Sequence, residues 1–84
     1  HVNNVRYLEW ALETLPPEVL DNYQCTGLAL QFEAETVLGD RVEAVVEIEE
    51  EDDWVHARHR LSHAETDQTL ALATTEWRRT EERA

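Results

Sequence analysis

The sequence predicts an α+β domain in which one amphipathic helix is followed by four antiparallel strands. Near the start of the chain, apolar residues recur at spacings of three and four, which is the period of a helix with one buried face. From residue 27 onwards the period changes to two, and short polar segments separate the alternating runs. Eighty-four residues provide for one small core, so we expect residues 1–84 to form a single domain.

The predicted helix extends from about residue 3 to residue 15. Asn3 or Asn4 can cap its first turn, because a short polar side chain accepts hydrogen bonds from free backbone N–H groups there. Pro16 and Pro17 end the helix, and Pro17 suits the first position of a short second turn. The apolar stripe consists of Val5, Leu8, Leu12 and Leu15, widened by Tyr7 and Ala11.

The four predicted strands cover residues 27–36, 41–49, 54–62 and 69–79. Residues 50–53 are four consecutive acids and are expected to form a polar hairpin connection. Cys25 is expected in the connection between the helix and the first strand. Alternation places apolar side chains on the core face of the second strand (Val42, Ala44, Val46, Ile48) and on one side of the third (Val55, Ala57, His59, Leu61).

The net charge of −12 argues against nucleic acid or an anionic membrane surface as a partner. A transmembrane helix needs about 18 or more consecutive apolar residues, and the sequence has no such run. The chain has no lysine, so all seven basic residues are arginines, a composition compatible with adaptation to high salt. The single cysteine fits a reducing compartment and indicates little else. We expect the protein to be cytoplasmic and bacterial.

A possible active site lies at the start of the chain, where His1 and Val2 precede the pair Asn3-Asn4. Free backbone N–H groups and the positive end of the helix dipole can hold a developing oxyanion there. A nearby imidazole can transfer a proton. The alternative is that His1 is a solvated terminal residue.

The run from His1 to Leu20 resembles the second hotdog domain of acyl-acyl-carrier-protein thioesterases. The matching residues are His1-Val2-Asn3-Asn4-Val5-Arg6-Tyr7, Trp10, Leu12-Glu13-Thr14 and Pro16. The resemblance implies a hotdog fold, a sheet wrapped around a central helix, without the strand that normally precedes the helix. It also implies that the chain is part of a longer protein that hydrolyses fatty acyl thioesters on acyl carrier protein and releases free fatty acid.

The resemblance also assigns the site residues. His1 matches the family's catalytic histidine, and Glu35, in the strand that begins near Leu28, matches a glutamate of the active site. Plant members have a cysteine after that glutamate, whereas this chain has Thr36, which favours direct attack by water over a cysteine nucleophile. Glu35 could equally be an ordinary outward-facing strand residue. No metal or organic cofactor is implied.

The expected partners are an acyl carrier protein bearing a fatty acyl chain and a second hotdog domain, in the same chain or in a second copy. Carrier proteins are acidic, so docking would have to use Arg58 and Arg60, Arg78 and Arg79, or another domain. Two other functions stay open from the sequence. They are an acyl-CoA thioesterase of the same fold and a non-catalytic hotdog module that binds acyl chains or mediates dimerisation.

Three further groups of residues have simpler interpretations than catalysis. His56, His59 and His63 are not expected to bind metal, because His56 and His59 lie on opposite faces of a strand. Cys25 has no neighbouring base in the sequence and is not expected to be a nucleophile. The acidic run at residues 47–53 lacks the ligand spacing of a calcium loop and is expected to be solvated.

Overall fold

A computed structural model of the chain describes residues 4–34 and 41–80. It confirms the predicted class, since a helical segment is followed by four antiparallel strands in one sheet of order β1-β4-β3-β2. Neither described helix is long and apolar enough to cross a membrane. The elements are α1 (Asn4–Glu13), α2 (Pro17–Asn22), β1 (Tyr23–Phe32), β2 (Val42–Glu51), β3 (Trp54–His63) and β4 (Thr69–Arg79).

The first strand starts four residues earlier than the alternation predicted. The short helix α2 passes directly into β1 at Tyr23, whose backbone is already extended while its N–H still donates to the Val19 carbonyl. Cys25 is therefore an exposed strand residue, and its predicted place in a connection is wrong. The predicted end of this strand, at residues 35 and 36, lies outside the described residues.

The buried line of α1 follows a spacing of four. Tyr7, Ala11 and Leu15 are buried against the sheet, while Leu8 and Leu12 are half-buried at the edges of that line. The sequence therefore predicted the correct buried side of the helix, but the centre of that side is the line through Tyr7 and Ala11. The helix ends at Glu13 with two bonds of 3₁₀ type, from Thr14 N–H to the Ala11 carbonyl and from Leu15 N–H to the Leu12 carbonyl.

The face of the sheet that meets α1 is apolar with polar exceptions at its centre. β3 contributes the predicted set Val55, Ala57, His59 and Leu61, and β4 contributes Ala71, Ala73, Thr75 and Trp77. The predicted inner positions of β2 are half-buried. Two apolar clusters result, one around Leu15 and Trp77 and one around Tyr7 and Leu61. His59 and Thr75 are the buried polar side chains of this face.

The opposite face is polar, and its register brings opposite charges together. Glu47 lies across from Arg58, and Glu49 lies across from His56. The Arg58 guanidinium reaches both glutamates, at 3.6 Å and 3.3 Å. Exposed pairs of this kind each contribute about 0.2–1 kcal/mol at most, but they specify the β2–β3 register together with the apolar inner face.

Candidate active site

The start of α1 and the end of β1 lie together at one end of the domain. The Tyr7 ring meets the Phe32 ring edge-on, with centroids 5.1 Å apart and planes at 71°. Beyond Phe32, the backbone N–H groups of Glu33 and Ala34 both donate to the Leu70 carbonyl, at 2.8 Å and 3.2 Å. Ala34 packs on the same apolar cluster as Tyr7. The two segments that border the predicted site residues are thus held side by side.

The predicted site residues themselves are not described. His1, Val2, Asn3 and Glu35 lie outside the described residues, and Asn4 is described as the first residue of α1 without its side chain. The described chain therefore brings Tyr7 on the first turn of α1 beside Phe32 and Ala34 at the end of β1. The oxyanion role of the helix N-terminus and the pairing of His1 with Glu35 stay predictions.

The described surface next to this end is aromatic. Trp10 meets Tyr7 edge-on at 5.7 Å between ring centroids, and the Arg6 guanidinium lies 5.4 Å from the centre of the Trp10 ring. Trp10 is half-buried. Trp77 is buried in the core, and Trp54 is exposed.

A buried hydrogen-bond chain crosses the middle of the interface between α1 and the sheet. Trp77 Nε1–H donates to Thr75 Oγ1 at 2.8 Å, and Thr75 Oγ1 lies 2.8 Å from His59 Nε2. His59 Nδ1 lies 3.1 Å from Thr14 Oγ1, which donates to the Ala11 carbonyl at 2.6 Å. Every buried polar side-chain atom of the described residues has a hydrogen-bond partner.

In the neutral imidazole, the bond from Thr14 to the Ala11 carbonyl fixes the direction of the other bonds in this chain. The Trp77 indole N–H can donate but not accept, and the Ala11 carbonyl can accept but not donate. Thr75 accepts from Trp77 and donates to Nε2, and Nδ1–H donates to the Thr14 oxygen. His59 is therefore the neutral tautomer with its proton on Nδ1. Burial lowers its pKa below the ordinary value of 6.5, while a hydrogen bond to the Ala11 backbone raises the pKa by less.

The sequence indicated only part of this arrangement. Alternation placed His59 on the core face, and a buried imidazole requires hydrogen-bond partners. Thr14 and Thr75 were not singled out as those partners. They lie 45 and 16 residues away in sequence, and their proximity follows from the register of β3 with β4 and the position of α1.

His56 is separated from His59 by the sheet, as strand alternation predicted, whereas His63 is the last residue of β3. His56 lies on the polar face with Nδ1 3.3 Å from a Glu76 carboxylate oxygen. The His63 Nδ1 accepts from the backbone N–H groups of Glu65 and Thr66 in the β3–β4 connection. Among the described residues, no three metal-binding side chains converge.

Three of the four arginines proposed for carrier docking already have acidic neighbours. Arg58 bridges Glu47 and Glu49. Arg60 pairs with Asp67 at 3.3 Å, and Arg79 pairs with Asp53 at 3.4 Å. Arg78 instead stacks on the exposed Trp54 ring at 5.3 Å. An acidic partner would meet these guanidinium groups with most of their charge already balanced.

A helix lies on one antiparallel sheet, and the start of α1 packs beside the end of β1. This arrangement defines a domain of the hotdog thioesterase type. The chain belongs to the family described as the acyl-ACP thioesterase C-terminal domain, whose family model matches residues 1–79. A chloroplastic acyl-(acyl-carrier-protein) hydrolase of Cuphea viscosissima is 35% identical over 80 residues, which cover 93% of this chain and 19% of that protein. The chain thus spans about a fifth of that curated relative.

Solved structures agree with this assignment. A Lactobacillus plantarum protein provisionally named oleoyl thioesterase superimposes with a TM-score of 0.86 at 30% identity, over 98% of this chain and 32% of its own. The 12:0-ACP thioesterase of Umbellularia californica superimposes with a TM-score of 0.88 over 95% of this chain and 29% of its own. Its identity is 23%, so this second likeness establishes the fold alone.

Proposed function

We propose that the intact protein hydrolyses fatty acyl thioesters on acyl carrier protein and releases free fatty acid. The observation that carries the proposal is the family match across residues 1–79, which includes the His1-Val2-Asn3-Asn4 motif. The packing of the start of α1 beside the end of β1 also supports the proposal, because His1 lies three residues before Asn4 and Glu35 directly follows Ala34.

In the proposed mechanism, water attacks the thioester carbonyl while His1 acts as base or polarises the water, assisted by Glu35. Backbone N–H groups from Val2 to Asn4 stabilise the oxyanion that forms on the carbonyl oxygen. A carbon–oxygen bond forms, the carbon–sulfur bond breaks, and the proton taken from water returns to the departing thiolate. No cofactor takes part.

The test is thiol release from a panel of acyl-carrier-protein and acyl-CoA esters by the intact protein. We expect His1→Ala and Glu35→Ala each to lower kcat by about 10²–10⁴-fold, the usual contribution of a positioned general base. Glu33→Ala is the matched control, because the Glu33 carboxylate is exposed and accepts from the Gln31 amide. Preference for CoA esters would favour the acyl-CoA thioesterase, and no hydrolysis of either class would favour a binding module.

We further propose that the carrier protein docks on a part of the intact protein outside the arginines of this sheet. The ion pairs of Arg58, Arg60 and Arg79 with neighbouring carboxylates support this. Arg58→Ala and Arg60→Ala should therefore leave KM for acyl-carrier-protein esters within about twofold of the original value, since surface pairs of this strength contribute little. A large rise in KM would place the carrier on this face.

We also propose that a second hotdog domain, from the same chain or a second copy, adds to the open edge of β1. The ten residues of β1 carry no charged side chain, and Leu28 is 50% exposed. By contrast β2, the other edge strand, carries five glutamates (Glu43, Glu47, Glu49, Glu50, Glu51), a usual protection against pairing.

Leu28→Glu in the intact protein tests the β1 edge, with Val45→Glu as the control because Val45 is 55% exposed on β2. We expect Leu28→Glu to weaken association in sedimentation velocity or, for a partner within the same chain, to lower the melting temperature. Equal effects of the two variants would count against the edge of β1.

We propose the cytoplasm of a bacterium as the location and fatty acid biosynthesis as the process. The single, exposed thiol of Cys25 is compatible with a reducing compartment. The Cuphea relative is chloroplastic, so the alternative is a plastid. Subcellular fractionation of the source cells, followed by detection with an antibody, distinguishes these locations.

A further inference from the structure

We propose that the buried chain formed by Thr14, His59, Thr75 and Trp77, here called the His59 latch, is an acid-sensitive connection that holds the end of α1 on the sheet. Neutral His59 joins the helix to β4 through its two ring nitrogens. Protonation of the ring breaks this connection and releases α1. The latch operates whether or not the protein hydrolyses acyl thioesters.

The first argument is the direction of the hydrogen bonds. An imidazolium donates from both nitrogens. Its Nε2–H would point at Thr75 Oγ1, which already accepts from the Trp77 indole. The Thr75 hydroxyl proton would then lose its acceptor in a fully buried position. Protonation therefore leaves a buried donor without a partner, which is unfavourable unless the helix and sheet separate.

The second argument is the absence of a compensating charge among the described residues around the ring. On the inner face, its neighbours are Val46 and Ala73 across the strands and Ala57 and Leu61 along β3. From α1 it meets Ala11 and Thr14. Nothing in this set can pair with an imidazolium, so the charged ring would be buried without a counterion.

The other ionisable groups of the packed elements lie away from the ring. Glu50 and Arg79 occupy inner positions of their strands, but they line a pocket with Glu18 and Tyr23 at the α2 end of the domain, and His63 lies at the end of β3 opposite Val42. Tyr7 is the ionisable residue on the buried line of α1, and it belongs to the cluster at the far end. Those on the exposed surface of the helices are Arg6, Glu9, Glu13, Glu18 and Asp21. On β2, β3 and β4, a further set of ionisable side chains alternates to the outer face of the sheet. This set includes Glu43, Glu47, Glu49, Glu51, His56, Arg58, Arg60, Glu76 and Arg78.

The position of the latch determines what is released. Thr14 directly follows α1, and His59 lies between the apolar cluster around Leu15 and the one around Tyr7. A break there separates the end of α1 from the middle of the sheet and exposes both clusters to water. The helix that carries the His1 motif at its other end would then lose its attachment.

The sign of the pH dependence follows from linkage. The pKa of docked His59 is lowered, whereas a released ring titrates near 6.5. The released state therefore binds more protons below that pH, and docking becomes less stable as the pH falls through 6.5. Between about pH 7.5 and about pH 5, the opening equilibrium can increase by at most about 30-fold, the limit reached when the docked ring stays neutral.

The experiment is backbone hydrogen exchange by mass spectrometry on the intact protein at these two pH values, corrected for intrinsic exchange rates. We expect protection of peptides covering residues 4–15 to fall at the lower pH by up to about 30-fold. In His59→Gln this fall should disappear, because glutamine offers one donor and one acceptor and does not titrate. His56→Gln is the matched control and should respond as the unaltered protein does.

A second measurement needs no variant. Exchange of the histidine ring C2 proton against pH reports the pKa of His59 in the folded protein. The latch requires this pKa to lie below 6.5 and to accompany the loss of helix protection. A His59 pKa at or above 6.5, or an equal loss of protection in His59→Gln, would overturn the proposal.

Discussion

Thr75 shows how a single hydroxyl can determine the chemistry of a core. Its exposure is 0%, and it occupies a position where valine would have nearly the same shape. The hydroxyl accepts from the Trp77 indole and donates to the His59 ring. One threonine therefore satisfies two other buried polar groups, and the neutral tautomer of His59 depends on it.

Thr75→Val should lower the free energy of unfolding by about 2–4 kcal/mol, since it leaves both the Trp77 N–H and the His59 Nε2 without a partner. Thr75→Ser is the control, and it should cost about 1 kcal/mol for the lost methyl group. Urea unfolding followed by tryptophan fluorescence measures both values. Little or no destabilisation by Thr75→Val would mean that packing, and not hydrogen bonding, is what Thr75 supplies.

At the residue scale, the sequence predicted which face of the sheet a side chain occupies better than it predicted the hydrogen-bond partners of that side chain. Period-two alternation was enough to place His59 inward and His56 outward, and the structure confirms both positions. The identity of the His59 partners depends on contacts between distant segments, which no local pattern encodes. For His1 and Glu35 the sequence supplied a motif, and the described residues supply the neighbouring segments but not the side chains.

At the scale of elements, α1 depends on one small residue. Ala11 is fully buried between Tyr7 and Leu15 on the line that faces the sheet. Its carbonyl also ends the hydrogen-bond chain from His59. A small side chain at this position lets the helix approach β3 closely enough for Thr14 to reach the imidazole. Close packing and the hydrogen-bond chain are therefore one feature of the same interface.

Ala11→Leu should lower the free energy of unfolding by about 1–3 kcal/mol, because the added carbon atoms have no space between helix and sheet. The same leucine at exposed Glu13 should change it by less than about 0.5 kcal/mol. Chemical unfolding of both variants measures the difference. A neutral Ala11→Leu would show that the interface has room and that Thr14 and His59 are held by something other than close approach.

The boundaries of elements were less predictable than their faces. Alternation predicted both ends of β4, at residues 69 and 79, although Leu70 and Ala71 are both buried beside a register shift between β3 and β4. The start of β1 was missed by four residues, since α2 continues into it at Tyr23 without a glycine or proline to mark the change. Local sequence signals the ends of elements through such residues, and without them the tertiary pairing with β4 decides.

At the scale of the whole molecule, acids outnumber bases by nineteen to seven. The structure uses several arginines for internal pairs, including Arg58 with Glu47 and Glu49 and Arg79 with Asp53. Most carboxylates of the described residues consequently lack a counterion and repel one another across the surface. Among the described residues, Glu43 and Glu51 on β2 make no ion pair, so they contribute to this repulsion without compensation.

Sodium chloride should therefore stabilise this chain, because screening weakens the repulsion between carboxylates more than it weakens the few close pairs. We expect the free energy of unfolding to rise between about 0.05 M and about 1 M salt, where the Debye length falls from about 14 Å to about 3 Å. The double variant Glu43→Gln, Glu51→Gln should show a smaller rise and a higher stability at low salt. In contrast, Glu49→Gln removes a partner of Arg58 and should give no gain at low salt. Stability that stays flat or falls with salt would mean that the internal pairs, and not the surplus of acids, dominate the electrostatic energy of the fold.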